Sequence, residues 1–196
     1  MNSLELDSAK VLSSVNDGIT VYEVDCMQPR LEALQGGLKN VFAHWREIQG
    51  EKFAPSWREF NWDYIPTELI PWFAVVDVKY EPLDFIYRFW GSARTRVQDK
   101  DYTGKSVRDF QPLSISKKAF NEYQHVVDNK SAIHLRTKGL TNFKNEPFTY
   151  DFLRLPFSYD GERVDNIIGV GLYDAEAAAR ATDFYCEKKI QVAWPS

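Results

Sequence analysis

Arginine and histidine side chains within apolar stretches are the residues of this chain best suited to hold a charged ligand. Arg88 lies between two aromatic residues, and Arg154 lies in a second apolar stretch. A buried guanidinium is costly unless it is paired, and its planar fork matches a carboxylate. Both arginines are therefore candidate contacts for an acidic ligand. The favoured alternative is an internal ion pair, for which the candidate partners of Arg88 are Asp77, Asp151 and Asp174.

Aromatic side chains near these cations are candidates for the walls of a ligand pocket. Trp90 follows Arg88 closely, and Tyr123 lies in a helical stretch together with Phe120. Aromatic residues at strand and helix spacing more often belong to an ordinary core, which is the alternative for both. His134 lies in a later strand-like run and is a further candidate, with a core or solvated histidine as its alternative. The predicted ligand-binding set is Arg88, Trp90, Tyr123, His134 and Arg154.

The letters TGKS at positions 103–106 have the same ending as a phosphate-binding P-loop. A P-loop also needs a glycine five positions before Gly104, where this chain has Asp99. Asp101 would in addition repel an anion. We therefore interpret the segment as a turn, in which Asp101 and Thr103 fold back on the backbone and Gly104 permits the reversal.

Signatures of the common enzyme and metal sites do not occur in the sequence. There is no G-x-S-x-G, no H-E-x-x-H and no G-x-G-x-x-G, and the acidic residues are scattered along the chain. These motifs position nucleophiles, zinc ligands and phosphate-binding loops. We therefore predict neither a catalytic nor a metal-binding residue.

Composition indicates a globular chain without a field that attracts nucleic acid or lipid. The 196 residues carry a formal net charge of −4 and are 44% hydrophobic, and a chain of this length buries roughly 70% of its unfolded surface. Cys26 and Cys186 lie far apart without a C-x-x-C motif, which is typical of a reducing compartment. Neither a secretory signal nor an apolar run of bilayer length occurs. We expect a cytoplasmic protein with no nucleic-acid or membrane partner.

Periodicity predicts an order of elements that is typical of an α+β fold. Two strand-like runs at 72–80 and 84–91 flank a proline-containing turn, which predicts an antiparallel hairpin. Helical segments follow over 92–131, where Ser92 can cap the first helix. Three more strands are predicted at 132–140, 147–159 and 164–174. Their short connections require antiparallel pairing, so the strands form a meander.

An amphipathic helix is predicted in the N-terminal part of the chain. Its apolar stripe consists of Leu31, Leu34, Leu38, Val41, Trp45 and Ile48. Several of the strands are apolar on both faces, so the sheet face that the central helices leave open also needs cover. The stripe is the expected cover, and a helix of a dimer interface is the alternative.

Four short motifs follow one another along the middle and C-terminal parts of the chain. Tyr-Arg-x-x-Gly is followed by Asp-x-Thr-Gly-Lys, then by Leu-Pro-Phe-Ser-x-Asp-Gly, and then by Val-Asp. Together they resemble the PAS superfamily, in particular a group of small bacterial PAS domains, over about residues 56–174. The resemblance implies a five-stranded antiparallel sheet, short helices across one face and, commonly, a small pocket between them. The matching residues are Tyr87, Arg88, Gly91, Asp101, Thr103, Gly104, Lys105, Leu155, Pro156, Phe157, Ser158, Asp160, Gly161, Val164 and Asp165.

The resemblance implies a sensory or interaction module. We predict a stand-alone PAS-type module that binds a small organic ligand between sheet and helices and signals through protein–protein association. The alternatives are a purely structural dimerisation domain with a filled core and an uncharacterised enzyme. The expected partners are a small molecule and a second copy of the chain, bound through the N-terminal helix or the outer sheet face.

The resemblance leaves the cofactor unassigned. Some PAS domains ligate haem through a histidine of the long helix, which draws attention to His125, but its position late in that helix favours a solvated or core histidine. No cysteine lies in the helical segment as it does in flavin-binding light sensors. The predicted division of the chain is an N-terminal extension at 1–55, a PAS-like domain at 56–175 and a helical tail at 176–196.

Overall fold

A computed structural model describes residues 15–16, 21–111, 113–140, 147–172 and 179, so the predicted tail at 176–196 lies almost wholly outside the described residues. Within these ranges the helices are α1 (Gly36–Gln49), α2 (Ser92–Gln98) and α3 (Leu113–Asn129). The strands are β1 (Val15–Asn16), β2 (Val21–Met27), β3 (Phe73–Tyr80), β4 (Leu83–Trp90), β5 (Ile133–Leu140), β6 (Pro147–Phe157) and β7 (Asn166–Leu172). Short 3-10 turns lie at Trp57–Glu59, Trp62–Tyr64, Thr67–Trp72 and Val107–Asp109. None of the helices described here combines the length and the hydrophobicity needed to cross a bilayer.

The strands form one antiparallel sheet in the order β1-β2-β5-β6-β7-β3-β4. The hairpin β3–β4 and the meander β5–β6–β7 are both present, and β3 pairs with β7 at the centre of the sheet. This arrangement confirms the predicted PAS-like α+β fold and its five-stranded antiparallel core. The N-terminal segment extends that core, because β2 pairs with the β5 edge and places Cys26 opposite Leu135.

Helices α2 and α3 cover the face of the sheet that we call the inner face. Helix α3 places Ile115, Ala119, Tyr123 and Val126 in the inner core at spacings of three and four, which is one stripe of an α-helix. Every second residue of the strands contributes to the same core, among them Ala74, Val76, Phe85, Tyr87, Ile133 and Leu135.

Helix α1 covers the opposite, outer face of the sheet. Leu38, Val41 and Trp45 are buried against Leu153 and other outer-face strand residues. The indole Nε1 of Trp45 donates to the carbonyl oxygen of Pro156 at 3.0 Å, which ties the helix to β6. The prediction that the N-terminal stripe covers the second sheet face is therefore confirmed.

The TGKS segment is a turn that closes the free edge of β4. Gly104 has a φ of +77°, a conformation that glycine adopts without strain. The amide of Thr103 donates to Oδ1 of Asp101 at 2.8 Å, as the sequence predicts. The amide of Gly104 donates to the carbonyl of Tyr87, and the amide of Tyr87 donates to the carbonyl of Lys105. The segment therefore protects a strand edge.

The junction between β4 and α2 differs in detail from the prediction. Helix α2 begins at Ser92 itself, and Gly91 is its N-cap without a side-chain cap. Gly91 is required for steric reasons, because a Cβ there would lie 2.1 Å from the carbonyl oxygen of Pro71. The backbones at Gly91 and Pro71 pass close to each other, which the sequence does not reveal. The N-cap therefore lies one residue earlier than predicted.

Candidate functional site

A buried cluster of charged side chains lies on the inner face of the sheet, beneath α2 and α3. Strand β6 contributes Arg154, α2 contributes Arg94, and α3 contributes Lys118 and Glu122. All four are buried, with Glu122 only 1% exposed. Charged side chains are almost never fully buried unless they are paired. The partners of these four side chains therefore determine whether the cluster is a structural ion-pair network or a ligand site.

Both terminal nitrogens of Arg154 are engaged, one of them in an ion pair. Its Nη2 donates to Oε2 of Glu122 at 2.7 Å, and its Nη1 donates to the hydroxyl oxygen of Tyr123 at 3.2 Å. Its guanidinium carbon lies 4.5 Å from the centroid of the Tyr123 ring. Glu122 also accepts from Nζ of Lys118, one helical turn earlier, at 2.5 Å. One carboxylate therefore neutralises part of the charge of two cations.

Burial and partner charges act in opposite directions on the Glu122–Arg154 pair. Burial raises the pKa of Glu122, but the charges of Lys118 and Arg154 outweigh it and hold that pKa below its usual value. Burial lowers the pKa of Arg154, whereas Tyr123 and Glu122 raise it, and the pKa lies above its usual value. Both groups are therefore ionised at neutral pH.

A glycine on the neighbouring strand makes room for the guanidinium of Arg154. Gly169 of β7 stands directly opposite Arg154 in the β6–β7 ladder. A Cβ at this position would lie 2.2 Å from Nη1 of Arg154 and 3.5 Å from the hydroxyl oxygen of Tyr123. Any side chain at 169 would therefore displace the guanidinium.

Arg94 has no carboxylate partner among the described residues. It is 6% exposed, and its guanidinium carbon lies 4.4 Å from the ring centroid of Trp90 and 5.3 Å from that of Phe152. Nη1 lies 3.4 Å from the carbonyl oxygen of Trp72, while Nε has no hydrogen-bond partner within the described ranges. Stacking on aromatic faces compensates part of the cost of burial. The positive charge itself lacks a counter-ion in this part of the chain.

Arg94 and Arg154 line a cavity of about 30 Å³. Lys118, Glu122 and Gln98 line it as well, so three cations face one carboxylate and the formal charge of the lining is +2. Nε of Arg94, Nε of Arg154 and Oε1 of Gln98 lack hydrogen-bond partners among the described residues. The volume suffices for about two water molecules. The site is chemically suited to a small anion, whereas a typical organic ligand needs about 300 Å³ or more.

The sheet divides the ligand-binding set that was predicted from the sequence. Trp90, Tyr123 and Arg154 lie together on the inner face, in or beside the charged cluster. Arg88 and His134 lie on the outer face and do not contact this cluster. The ligand role of all five residues stays a prediction.

Arg88 forms an ion pair at the edge of the outer face. Its Nη2 lies 2.7 Å from Oδ1 of Asp77, and its guanidinium carbon lies 5.8 Å from the centroid of the Trp57 ring. Asp77 also accepts a hydrogen bond from Nδ2 of Asn166 at 2.7 Å. Asp77 is one of the three partners considered for Arg88 from the sequence, and the pair is partly exposed.

His134 lies against Asp151 on the outer face, in a cross-strand arrangement with Arg136. Nε2 of His134 and Nε of Arg136 lie 2.8 Å and 3.0 Å from the same oxygen, Oδ1 of Asp151. Burial raises the pKa of Asp151, but the hydrogen bonds from His134 and Arg136 outweigh it and hold the pKa below its usual value. The carboxylate therefore stabilises the pairing of β5 with β6.

Arg94, Gln98, Lys118 and Glu122 were not singled out from the sequence. Lys118 and Glu122 of α3 could have been identified from the sequence. They lie at helical spacing from Ile115 and Ala119 and so fall on the buried stripe. Charges on an apolar stripe indicate a buried ion pair or a ligand site. The short α2 carries no such signal, since seven residues do not define a face.

The chain resembles a known protein structure only weakly. No protein-family model and no curated protein matches the chain. A solved structure described as an RNA-binding Light-Oxygen-Voltage receptor matches with 18% identity and a TM-score of 0.38. The match covers 65% of this chain and 39% of that chain, so the chain spans well under half the length of that protein. In the part of the chain that the structure describes, no three His, Cys, Asp or Glu side chains converge as a metal site.

Proposed function

We propose that this protein is a sensory or interaction module that binds a small anion between the sheet and helices α2 and α3. The observation that carries the proposal is Arg94, a buried guanidinium without a carboxylate partner among the described residues. An uncompensated buried charge costs about 3–5 kcal/mol. A bound anion would remove that cost. The motifs that resemble PAS domains support the same location for the ligand, since the resemblance implies a pocket between sheet and helices.

The size and polarity of the cavity select the kind of anion. A volume of about 30 Å³ accommodates an anion of three or four heavy atoms, such as formate, nitrate or bicarbonate. Nε of Arg94 and Nε of Arg154 are unused donors, which suit the oxygen atoms of such an anion. Oε1 of Gln98 is an unused acceptor, which suits the hydroxyl of bicarbonate. Larger carboxylates require α3 to move away from the sheet.

The signal is proposed to leave by altered association with a second copy or with another protein. Helices α2 and α3 both contribute cavity residues and both have exposed faces, on which Arg96 and Lys117 lie. If anion binding changes the position of either helix, the exposed surface of the protein would therefore change as well. Sedimentation velocity with and without the anion tests this part. A distribution that the anion leaves unchanged would contradict it.

Thermal unfolding in different potassium salts tests anion binding. Bicarbonate, formate, nitrate and chloride are titrated at constant ionic strength against gluconate, which is too large for the cavity. Arg94→Gln removes the charge, and Arg96→Gln, at an exposed position of the same helix, is the matched control. We expect a saturable stabilisation in the wild type and in Arg96→Gln, of about 2.7 kcal/mol at a hundredfold excess over Kd, and none in Arg94→Gln. A response that is the same in Arg94→Gln, or no saturable response at all, would overturn the proposal.

A structural interaction module with a filled core is the second candidate. The small volume of the inner cavity and the ion pair of Arg154 with Glu122 favour it. On this view no anion stabilises the protein, and Arg94→Leu raises the free energy of unfolding because it removes a buried charge without opening a binding site. The same titrations therefore separate the two candidates.

A further inference from the structure

A second cavity, of about 480 Å³, lies at the edge of α1 on the outer side of the sheet. Its walls come from residues 28–32 after β2, from the C-terminal half of α1, and from residues 130–132 between α3 and β5. The volume falls within the range of about 300–1,000 Å³ that is typical of small-molecule sites. We call this cavity the α1 cleft. None of its lining residues belongs to the buried cluster under α3.

One wall of the α1 cleft is apolar and rigid. It is formed by the rings of Phe42, Trp45 and Phe53 together with Leu31. Phe42 and Trp45 are buried in the outer core, and the indole Nε1 of Trp45 is already bonded to the carbonyl of Pro156. Phe42 and Trp45 are only 5% and 1% exposed, so the accessible apolar surface of this wall comes from the half-buried Leu31 and Phe53, which suit an apolar body.

The rim of the α1 cleft is positively charged. Arg30, Arg46 and Lys130 face a single acid, Glu32, so the formal charge of the lining is +2 in a chain with a net charge of −4. Nη1 of Arg46 donates to Oε1 of Gln49 at 2.5 Å. Within the described ranges, Arg46 forms no ion pair, and its charge is therefore available to an anion.

Ser131 and Lys130 add two polar donors to the lining of the α1 cleft. Oγ of Ser131 is buried and has no hydrogen-bond partner among the described residues. Nζ of Lys130 lies 5.5 Å from the centroid of Phe53 and donates to the carbonyl oxygen of Glu162, a neutral acceptor. A hydroxyl and an ammonium group thus stand next to an aromatic wall, and both can donate to an acid group.

We infer that the α1 cleft binds an organic anion with a flat apolar body, of the aromatic carboxylate or sulfonate class. The body lies against Leu31 and Phe53, and the acid group faces Arg46, Lys130 and Ser131. A neutral aromatic molecule would leave the rim charges uncompensated, and an organic cation would be repelled by them. The inference concerns the outer side of the sheet and does not depend on anion binding under α3.

Fluorescence titration with 8-anilinonaphthalene-1-sulfonate tests the inference on the folded full chain. N-phenyl-1-naphthylamine has the same rings without the sulfonate and is the matched neutral probe. Arg46→Gln and Lys130→Gln remove rim charges, and Lys39→Gln, at an exposed position of α1 outside the cleft, is the control. We expect saturable binding of one sulfonate per chain, weakened about tenfold or more by Arg46→Gln and by loss of the sulfonate, and unchanged in Lys39→Gln and Arg94→Gln.

Several results would overturn the inference. These are no saturable sulfonate binding, equal binding of the two probes, and equal affinity in the wild type, Arg46→Gln and Lys130→Gln. A thermal melt of each variant without the probe shows whether the variant is folded. Because two rim variants are compared, a local structural effect of one substitution would not by itself decide the result. Loss of sulfonate binding in Arg94→Gln would place the probe under α3 and would likewise refute binding in the α1 cleft.

Discussion

Arg94 and Arg154 place their guanidinium groups over the same aromatic ring, each 5.3 Å from the centroid of Phe152. Among the described residues only Arg154 has a carboxylate partner, Glu122. Two like charges thus share one ring and one cavity, and one of the two is compensated within this part of the chain. Arg154 is thus ion-paired, whereas the neighbouring Arg94 has no carboxylate partner among the described residues.

The two arginines are therefore expected to differ in their effect on stability. Arg154→Met leaves Glu122 paired with Lys118 alone and is expected to lower the free energy of unfolding by about 3–5 kcal/mol. Arg94→Met removes a charge that has no counter-ion among the described residues and keeps an apolar stem against Trp90. In a buffer without small anions it is expected to change the free energy by less than about 1 kcal/mol or to raise it. Urea denaturation measures both, and equal losses would show that Arg94 has a structural partner.

Helix α1 is expected to contribute strongly to stability through Trp45. Trp45→Ala leaves a void between α1 and β6 and is expected to lower the free energy of unfolding by about 3–5 kcal/mol. Trp45→Phe keeps most of the ring but leaves the carbonyl of Pro156 without its donor, for a loss of about 1–3 kcal/mol. Denaturant unfolding followed by circular dichroism measures the two values. A loss below about 1 kcal/mol for Trp45→Ala would contradict the packing of α1 on the sheet.

Two glycines are expected to tolerate alanine differently. A Cβ at Gly91 meets the backbone of Pro71, which cannot move aside. A Cβ at Gly169 meets the end of the flexible Arg154 side chain. Gly91→Ala is therefore expected to lower the free energy of unfolding by more than about 3 kcal/mol, and Gly169→Ala by about 1–3 kcal/mol. The reverse order in a urea titration would contradict these contacts.

Asp151 is expected to make the protein sensitive to acid. Its pKa is lower in the folded chain than the ordinary value of 3.8, mainly through His134 and Arg136 acting against burial. The unfolded chain therefore binds the proton more tightly, so the stabilisation is complete above the ordinary pKa and is lost as the pH falls through the lower folded pKa. Asp151→Asn should flatten the decrease of stability below pH 3.8. Equal slopes in the wild type and Asp151→Asn would refute this role.

The architecture was predictable because each element carries its own local signal. Apolar runs bounded by turn residues identified β3 to β7, and the apolar stripe at Leu38, Val41 and Trp45 identified both α1 and its cover of the outer face. The contribution of β2 to the sheet was less visible, since a strand at the β5 edge depends on pairing over a long sequence separation.

The candidate site was predictable only in part. Arg154 and Tyr123 stand out as polar groups in apolar stretches, but Arg88 and His134 have the same appearance and lie on the other face. The parity of a strand residue does not reveal which face it joins when both faces are apolar. Arg94 was not identified from the sequence because its burial results from the packing of α2 against Trp90 and Phe152, a contact between distant segments.

The most direct test is a crystal of the protein soaked in bromide, with anomalous difference maps. Bromide is small enough for the inner cavity and is located without ambiguity by its anomalous signal. A peak within hydrogen-bonding distance of Nε of Arg94, absent from Arg94→Gln crystals and retained in Arg96→Gln crystals, is the predicted result. Bromide bound at surface sites alone, with only water or no density beside Arg94, would contradict the proposal that this cavity binds an anion.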